Sequence, residues 1–322
     1  MGCELYQPSA WKGKLVVSLL PYLSLFQILP FRVSNLKDII PPEVLHHIEQ
    51  KFGVGCLGSA FLGTPGTHKK TTIQISKDNA ILGYAKYSAS IEIQNLFSHE
   101  KDFLEWLQKK KIEHVPTCIE LSRINDSLML FMQSTEKQTG AKAEHTFSQK
   151  FEFFLDELYY CTRVGLPYEA SDFYQTMCFL QSNADLLPMP QRNLVKEAIT
   201  KVSAQYVQKT VEFGACHRDF TPWNTCVLRD GSLFVFDWEY ARKTYPFGLD
   251  KCHFLVQTMK FEKHFSIQEV GKNIKRNNWF GLDQLTFMSY CLDNAAIYME
   301  RGTEDDLMKV KERIDLLECI QA

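Results

Sequence analysis

The stretch CHRDFTPWNTCVLRDGSLFVFDWEYA, at residues 216–241, constrains the fold of this chain more than any other. Two short apolar runs in it are typical of β-strands, and the Asp-Gly pair between them predicts a tight turn. A hairpin of this kind would return the chain so that Asp237 arrives beside Asn224. The stretch therefore predicts a hairpin that gathers polar side chains at one end.

The polar residues of this stretch have the chemistry of a catalytic loop. Asn224 and Asp237 offer hard oxygen ligands of the kind that Mg²⁺ prefers. Asp219 can orient a substrate hydroxyl and accept its proton, and we predict a catalytic role for it together with His217, two residues earlier. An ordinary polar turn is the alternative, because Asp and Asn are common turn residues. The joint spacing of these residues favours the catalytic loop.

HRDFTPWN fits the pattern H-R-D-x-x-x-x-N, and FDWE ends the strand that follows. This segment resembles the aminoglycoside phosphotransferase and choline kinase-like branch of the protein-kinase-like fold, which has an H-x-D-x-x-x-x-N loop and a strand ending in D-W-E or a near variant. Glu239 replaces the glycine of the protein-kinase DFG motif, and no APE-type sequence follows. PFGLD resembles the family's P-x-x-x-D segment, which implies that Asp250 holds the catalytic loop in place.

The resemblance implies an α+β, protein-kinase-like fold of two lobes. The N-lobe would be a small antiparallel β-sheet with one inserted helix, and the C-lobe would be mainly helical. The implied function is that of a kinase, an ATP- and Mg²⁺-dependent phosphotransferase that moves the γ-phosphate to a hydroxyl of a small molecule. A pseudokinase-type nucleotide-binding or interaction protein is one alternative, and a protein kinase is the other.

Such a fold needs a lysine on the third strand and a glutamate on the following helix. ILGYAKYS supplies Lys86 at the end of an apolar strand, and SHEKDFLEWL supplies Glu100. An ion pair between them would direct Lys86 at the α- and β-phosphates of ATP. Glu92 and Glu105 are rival candidates for the acidic partner.

The remaining nucleotide contacts are predicted from small residues and from the position of the interlobe hinge. FLGTPGTHKK places Gly63, Thr64 and Gly66 at the first β-turn, where backbone N–H groups could approach phosphate oxygens. The GTPG wording resembles a group of uncharacterised bacterial phosphotransferase-family proteins. Backbone groups near Met132 and Ser134, after the fifth strand, would hold the adenine. A plain hairpin turn and a plain core methionine are the alternatives.

The length of 322 residues suggests about two domains. We expect an N-terminal helical extension at residues 1–48, an ATP-binding N-lobe at 49–135 and a helical C-lobe at 136–322. The C-lobe would carry the catalytic loop and the substrate pocket. The linker between the lobes is expected near Gln133–Thr139.

Charge and cysteine usage indicate where the protein works. The net charge of -2 gives no overall field that would favour nucleic acid. Ten cysteines without a CxxC pair indicate free, buried thiols in a reducing cytoplasm. The apolar segment at 15–31 contains Pro21 and Pro30, so a spanning helix is disfavoured. It is interpreted as two short helices packed on the protein, or as an interfacial helix in peripheral contact with the inner face of the membrane.

The identity of the acceptor stays open at the level of sequence, as does the oligomeric state. A sugar, an amino alcohol or a glycan precursor is favoured over an antibiotic. An aminoglycoside would need clustered carboxylates, for which Asp156 and Asp172 are among the candidates. A choline-like acceptor would need an aromatic cage. Aromatic residues near the predicted site are Trp223, Trp238, Tyr240 and Tyr245.

Overall fold

The computed structural model describes residues 40–61, 70–77, 80–133, 144–207, 209–277 and 279–321. Within them the strands are β1 (Leu57–Phe61), β2 (Thr71–Lys77), β3 (Ala80–Ser88), β4 (Thr117–Ile124), β5 (Ser127–Gln133), β6 (Val164–Pro167), β7 (Thr210–Cys216), β8 (Thr225–Val227), β9 (Leu233–Val235) and β10 (Arg242–Tyr245). The α-helices are α1 (Pro42–Phe52), α2 (Ile91–Lys109), α3 (Gln149–Thr162), α4 (Asp172–Asn183), α5 (Met189–Ser203), α6 (Leu249–Gln257), α7 (Ile267–Arg276), α8 (Gln284–Arg301) and α9 (Glu304–Gln321).

The chain divides into two units, and it passes between them more than once. The described residues of the first unit belong to Met1–Glu144 and Trp223–Glu239. Those of the second unit belong to His145–Pro222 and Tyr240–Ala322. A single boundary is expected from the sequence after residue 135, and it assigns the segment around Asp237 to the C-lobe. In the structure this segment, Trp223–Glu239, belongs to the first unit.

The first unit is built on a five-stranded sheet in the order β1-β2-β3-β5-β4, with antiparallel neighbours throughout. Successive residues of a strand point to opposite faces of the sheet. Residues 128–132 of β5 are all buried, so both faces of this central strand are covered. The single helix after the third strand agrees with the predicted order of elements.

Helix α1 covers one face of the sheet and α2 packs against the strands β3, β4 and β5. Val44 and Ile48 of α1 form a buried cluster with Ile73 and Phe131 of the sheet. The helix ends at Gly53, whose φ of +93° lies in the region that favours glycine. A glycine directly after an amphipathic segment is a usual sign of a helix end in a sequence.

The hairpin of β8 and β9 completes the first unit. Thr225, Cys226 and Val227 pair with Val235, Phe234 and Leu233 in antiparallel register. Asp230 closes the turn, since its carboxylate accepts hydrogen bonds from the backbone and side chain of Ser232. The predicted Asp-Gly turn between two strands is confirmed.

The second unit is mainly helical and carries a three-stranded sheet in the order β10-β7-β6. Its core includes Phe173 of α4, Val256 of α6, Leu292 of α8 and Leu317 of α9. Strand β7 ends at Cys216, one residue before the predicted catalytic loop. The strand does not continue through HRDF, because the backbone N–H groups of His217 and Arg218 bond to a side chain instead.

Several predictions concern residues outside the described part of the chain. These are the apolar segment at 15–31, the small residues Gly63, Thr64 and Gly66, and the hinge residue Ser134. Among the described helices, none combines the length and apolarity that crossing a membrane requires. The described cysteines are free, and Cys161 and Cys178 are exposed rather than buried as predicted.

Candidate active site

The hairpin brings Asp237 to Asn224 in the first unit. The backbone N–H of Phe236 donates to the carbonyl oxygen of Asn224 at 3.1 Å, which brings Asp237, the next residue, to Asn224 just beyond the paired strands. Asp237 has a φ of +68°, a conformation that non-glycine residues rarely adopt. Such backbone strain persists where the surroundings impose it, and it is common at functional sites.

Trp238 fixes the segment after β9 that carries Asp237. Its ring is fully buried and stacks on Phe103 of α2, with centroids 5.7 Å apart. Its indole N–H donates to the carbonyl of Val235 at 3.0 Å, and its backbone N–H donates to Glu100 Oε1 at 3.2 Å. The hairpin is therefore joined to α2 at the position of Glu100.

Lys86 and Glu100 form the buried ion pair that the sequence predicts. Ala85 packs in the cluster under α1, so Lys86, the next residue of β3, points to the opposite face, where α2 lies. Its Nζ lies 2.8 and 2.7 Å from the two carboxylate oxygens of Glu100 and 2.7 Å from Asp237 Oδ1. The rival Glu105 bonds to Lys101 instead.

Lys70 and Glu239 extend this cluster, and sequence reasoning missed both as site residues. Lys70 immediately precedes β2, and its Nζ lies 3.0 and 3.3 Å from the two carboxylate oxygens of Asp237. The same ammonium lies 2.5 Å from Glu239 Oε2. Glu239 stands in the quoted FDWE motif, which was a usable signal. Lys70 follows another lysine before a strand, and nothing local distinguishes it.

The charges of this cluster shift the pKa values of its members in different directions. Burial opposes the shift at Asp237, but Lys70 and then Lys86 hold the pKa of its carboxyl below the ordinary value. Burial and then the charge of Asp237 raise the pKa of Glu239 to about 7. Burial lowers the pKa of Lys70, but Asp237 and Glu239 outweigh it and raise that pKa well above the usual range.

The donor set fits a divalent cation. Carboxylate oxygens of Glu100, Asp237 and Glu239 lie within 4.8 Å of one another. Hard oxygen donors at this density suit Mg²⁺, which binds through one or two carboxylates, water and substrate phosphates. An amide oxygen such as that of Asn224 is a ligand of the same class, and its role in binding Mg²⁺ stays a prediction.

In the second unit, Asp250 holds the backbone of the predicted catalytic loop. Its two carboxylate oxygens accept hydrogen bonds from the backbone N–H groups of His217 and Arg218, each at 2.8 Å. Arg218 has a φ of +66°, the second strained position of the motif. The structural role predicted for Asp250 is confirmed.

The side chain of Arg218 ties the loop to α8. Its guanidinium donates to Asp293, with Nη2 2.6 Å and Nε 3.0 Å from Oδ1. The group also lies over the Tyr245 ring, 5.1 Å from the centroid. Both partners of this ion pair are buried, so Arg218 serves to anchor the loop.

Asp219 remains accessible beside these anchors. About a third of its side chain is exposed, and Oδ1 lies 3.2 Å from His253 Nε2. The His217 ring is fully buried, and its Nδ1 accepts from the backbone N–H of Asp219 at 3.2 Å. This contact lets His217 orient Asp219, and the catalytic role of His217 stays a prediction.

The structure also limits the groups that could bind an acceptor. Trp238 and Tyr245 are fully buried, so neither can form the aromatic cage considered from sequence. The carboxylate of Asp172 accepts from the backbone N–H groups of Lys243 and Thr244, and Asp156 lies 3.6 Å from Lys251. These two acids have structural partners in the second unit.

The hinge residue Met132 is buried in β5. A Cβ atom added to Gly83 of β3 would come within 2.4 Å of the Met132 carbonyl oxygen, so a side chain at position 83 is excluded. The close approach of the two strands requires glycine there. The role of Met132 in holding adenine stays a prediction.

No family model matches this sequence, and no curated protein matches it. Solved structures of the same fold include a thermostable mutant of aminoglycoside phosphotransferase APH(4)-Ia in a ternary complex with ADP and hygromycin B. That structure has a TM-score of 0.58 and 10% identity, and the match covers 86% of this chain and 98% of the other.

Two further structures agree with this match. Spectinomycin phosphotransferase APH(9)-Ia, in complex with ADP and spectinomycin, has a TM-score of 0.50 at 12% identity, covering 88% of this chain and 98% of the other. ADP-bound aminoglycoside phosphotransferase APH(2'')-Ib has a TM-score of 0.50 at 14% identity, covering 87% and 99%. At such identities the likeness shows the fold, and the predicted protein-kinase-like α+β fold is confirmed.

Proposed function

We propose that this protein is a kinase that transfers the γ-phosphate of Mg-ATP to a hydroxyl of a small molecule. The observation that carries the proposal is the buried network of Lys86, Glu100 and Asp237 in the first unit. A structural ion pair alone has no need of a second carboxylate that is held at a strained φ. The solved structures of this fold with bound ADP support the choice of nucleotide.

Each residue of the first unit has a part in this proposal. Lys86, aligned by both oxygens of Glu100, binds the α- and β-phosphates. Asn224 and Asp237 hold Mg²⁺, which when bound neutralises charge on the phosphates. Electrostatic stabilisation by groups fixed in advance is the main source of rate in phosphoryl transfer.

The residues of the second unit handle the acceptor. Asp219 orients the attacking hydroxyl and accepts its proton. His253 Nε2 donates to the carboxylate of Asp219 and holds it in one orientation, while Asp250 and the Arg218–Asp293 pair fix the loop behind it. A rigid backbone matters here because reacting groups must be held close to their productive geometry.

For the acceptor we propose a sugar, an amino alcohol or a glycan precursor. The acids Asp156 and Asp172 have structural partners, which does not favour a polycationic antibiotic. Hygromycin B and spectinomycin belong in the same screen because each is bound together with ADP in a solved structure of this fold.

The test is ADP release from Mg-ATP across sugars, amino alcohols and aminoglycosides, with Asp219→Asn measured in parallel. We expect turnover with one acceptor class and a fall of about 10²–10⁴-fold in the variant, the usual contribution of a general base. Asp230→Asn is the matched control, because it makes the same change in the exposed hairpin turn. Nucleotide binding without turnover on any acceptor would favour the nucleotide-binding alternative, and absence of nucleotide binding would contradict both.

A further inference from the structure

Lys70 occupies the carboxylates that would bind the metal. Its ammonium contacts both oxygens of Asp237, at 3.0 and 3.3 Å, and Glu239 Oε2 at 2.5 Å. The lysine side chain is largely buried, with 19% of its surface exposed. Because an ammonium has only hydrogen-bond donors, these carboxylates supply the acceptors that it needs.

A divalent cation and the Lys70 ammonium compete for the same place. Both need lone pairs of Asp237 and Glu239. The carboxylate oxygens of these residues lie within 4.8 Å of each other, which leaves room for one cation between them. Two positive charges at such a distance in a partly buried site repel each other strongly. Binding of metal therefore requires the ammonium of Lys70 to leave.

The second lysine of the cluster is in a different situation. Lys86 keeps both oxygens of Glu100 when Asp237 turns to a metal. If Glu100 stays with Lys86, the carboxylates left for the metal are Asp237 and Glu239, which are the two acidic partners described for Lys70. The displaced ammonium needs a new anionic partner, and the phosphates of a nucleotide that binds together with the metal can provide it.

We propose that Lys70 is a second phosphate-binding cation. Before nucleotide binds, its ammonium pairs with the metal-binding carboxylates. When nucleotide binds, Mg²⁺ replaces the ammonium on these carboxylates, and the ammonium pairs with the phosphates. This inference rests on the proposed function. It makes metal and nucleotide binding mutually dependent, because metal alone must displace a lysine that then lacks a partner. Binding of either ligand then increases the affinity for the other by the same factor.

The test measures Mn²⁺ binding to the full chain by electron paramagnetic resonance, without nucleotide and with ADP. Without nucleotide, we expect Lys70→Met and Lys70→Gln to bind Mn²⁺ at least about tenfold more tightly than the wild type, equal to about 1.4 kcal/mol. With Mn²⁺ present, the same variants should bind ADP about tenfold more weakly. Asp237→Asn in the Lys70→Met background should abolish the gain in Mn²⁺ affinity.

Lys77→Met is the matched control, because it removes the same charge from the other end of β2. Lys77 donates to the carbonyl of Val54 at 3.3 Å. The Lys77→Met variant should therefore bind Mn²⁺ and ADP as the wild type does. Unchanged Mn²⁺ affinity in both neutral variants, with normal ADP binding by the wild type, would overturn this inference alone. If neither the wild type nor Lys77→Met bound ADP, the proposed function would fail as well.

Discussion

At the residue scale, the buried pair of Lys86 and Glu100 combines stability with function. The Glu100 side chain has no exposed surface, and it accepts from Lys86 and from the backbone of Trp238. Removing one partner of a buried ion pair leaves an uncompensated charge, whereas removing both can be nearly neutral. Comparing single and double variants of the pair can therefore separate its contribution to stability from its contribution to function.

We predict that Glu100→Leu lowers the free energy of unfolding by about 3–5 kcal/mol, because Lys86 loses both oxygens of its main partner. The double variant Lys86→Met/Glu100→Leu should lose less than the sum of the single variants. Chemical denaturation, monitored by circular dichroism, measures the free energy of unfolding of the single and double variants. Glu105→Leu, which removes a partly exposed carboxylate of α2 that pairs with Lys101, should change stability by less than about 1 kcal/mol. Additive losses in the double variant would contradict the coupling.

The sequence predicts individual site residues where a local pattern is specific. Asp219, Asn224 and Asp237 follow from spacing within one stretch, and Lys86 follows from its place on an apolar strand. Lys70 could not be found in this way, because its role depends on Asp237, far along the chain. Arg218 is visible in the motif, but its partner Asp293 lies on a helix that no local pattern connects to it.

At the element scale, the N-terminus of α9 shows how an N-cap residue acts. Thr303 Oγ1 accepts from the backbone N–H of Asp306 at 3.1 Å, so Thr303, a residue type preferred at this position, caps the helix. Asp306 is fully buried, and its carboxylate accepts from Thr303 Oγ1 at 2.6 Å and from Arg301 at 3.2 Å. Burial opposes the shift, but Thr303 and then Arg301 lower the pKa of Asp306 below 3.8.

This lowered pKa fixes the sign of a pH dependence. The ionised form of Asp306 stabilises the fold above the unfolded pKa of 3.8, and that contribution is lost as pH falls through the lower folded value. We predict that Asp306→Asn is less stable than the wild type at pH 7, and that the difference shrinks below about pH 4. Thermal unfolding of both proteins from pH 7 to pH 2 measures it. A difference that is constant with pH would show that the charge of Asp306 is irrelevant.

Boundaries of elements are predicted well where caps or breakers mark them, as at Gly53 and Thr303. They are predicted less well where side chains compete for the backbone. The strand β7 stops at Cys216 because Asp250 takes the N–H groups of the next two residues. Such a side chain, contributed from another element, leaves no signal in the local sequence.

At the scale of the whole molecule, the chain completes its first unit with a late segment. The hairpin Trp223–Glu239 belongs to that unit, although the chain before and after it belongs to the second. A single cut cannot separate the units, because the C-terminal fragment would keep a piece of the first. Trp238 and Asp237 fasten that piece to Phe103 and Lys86.

We predict that cleavage at a protease site inserted between Gln138 and Thr139 leaves the two fragments associated. The buried contacts of Trp238 should hold the hairpin on the sheet after the peptide bond is cut. Gel filtration after cleavage measures the association. Trp238→Ala should weaken it, since removing a buried tryptophan costs about 3–5 kcal/mol. Separation of the cleaved wild-type fragments would contradict the prediction.

The late hairpin also sets an order for biosynthesis. A ribosome that adds about 5–20 residues per second releases β1 to β5 well before Trp238 is made. Until then the nascent sheet lacks the indole that covers Phe103 and the carboxylate that pairs with Lys86. The helices α3 to α5 emerge in this interval. The first unit therefore cannot be complete until much of the second unit has left the ribosome. During that time its incomplete sheet would be exposed to chaperones.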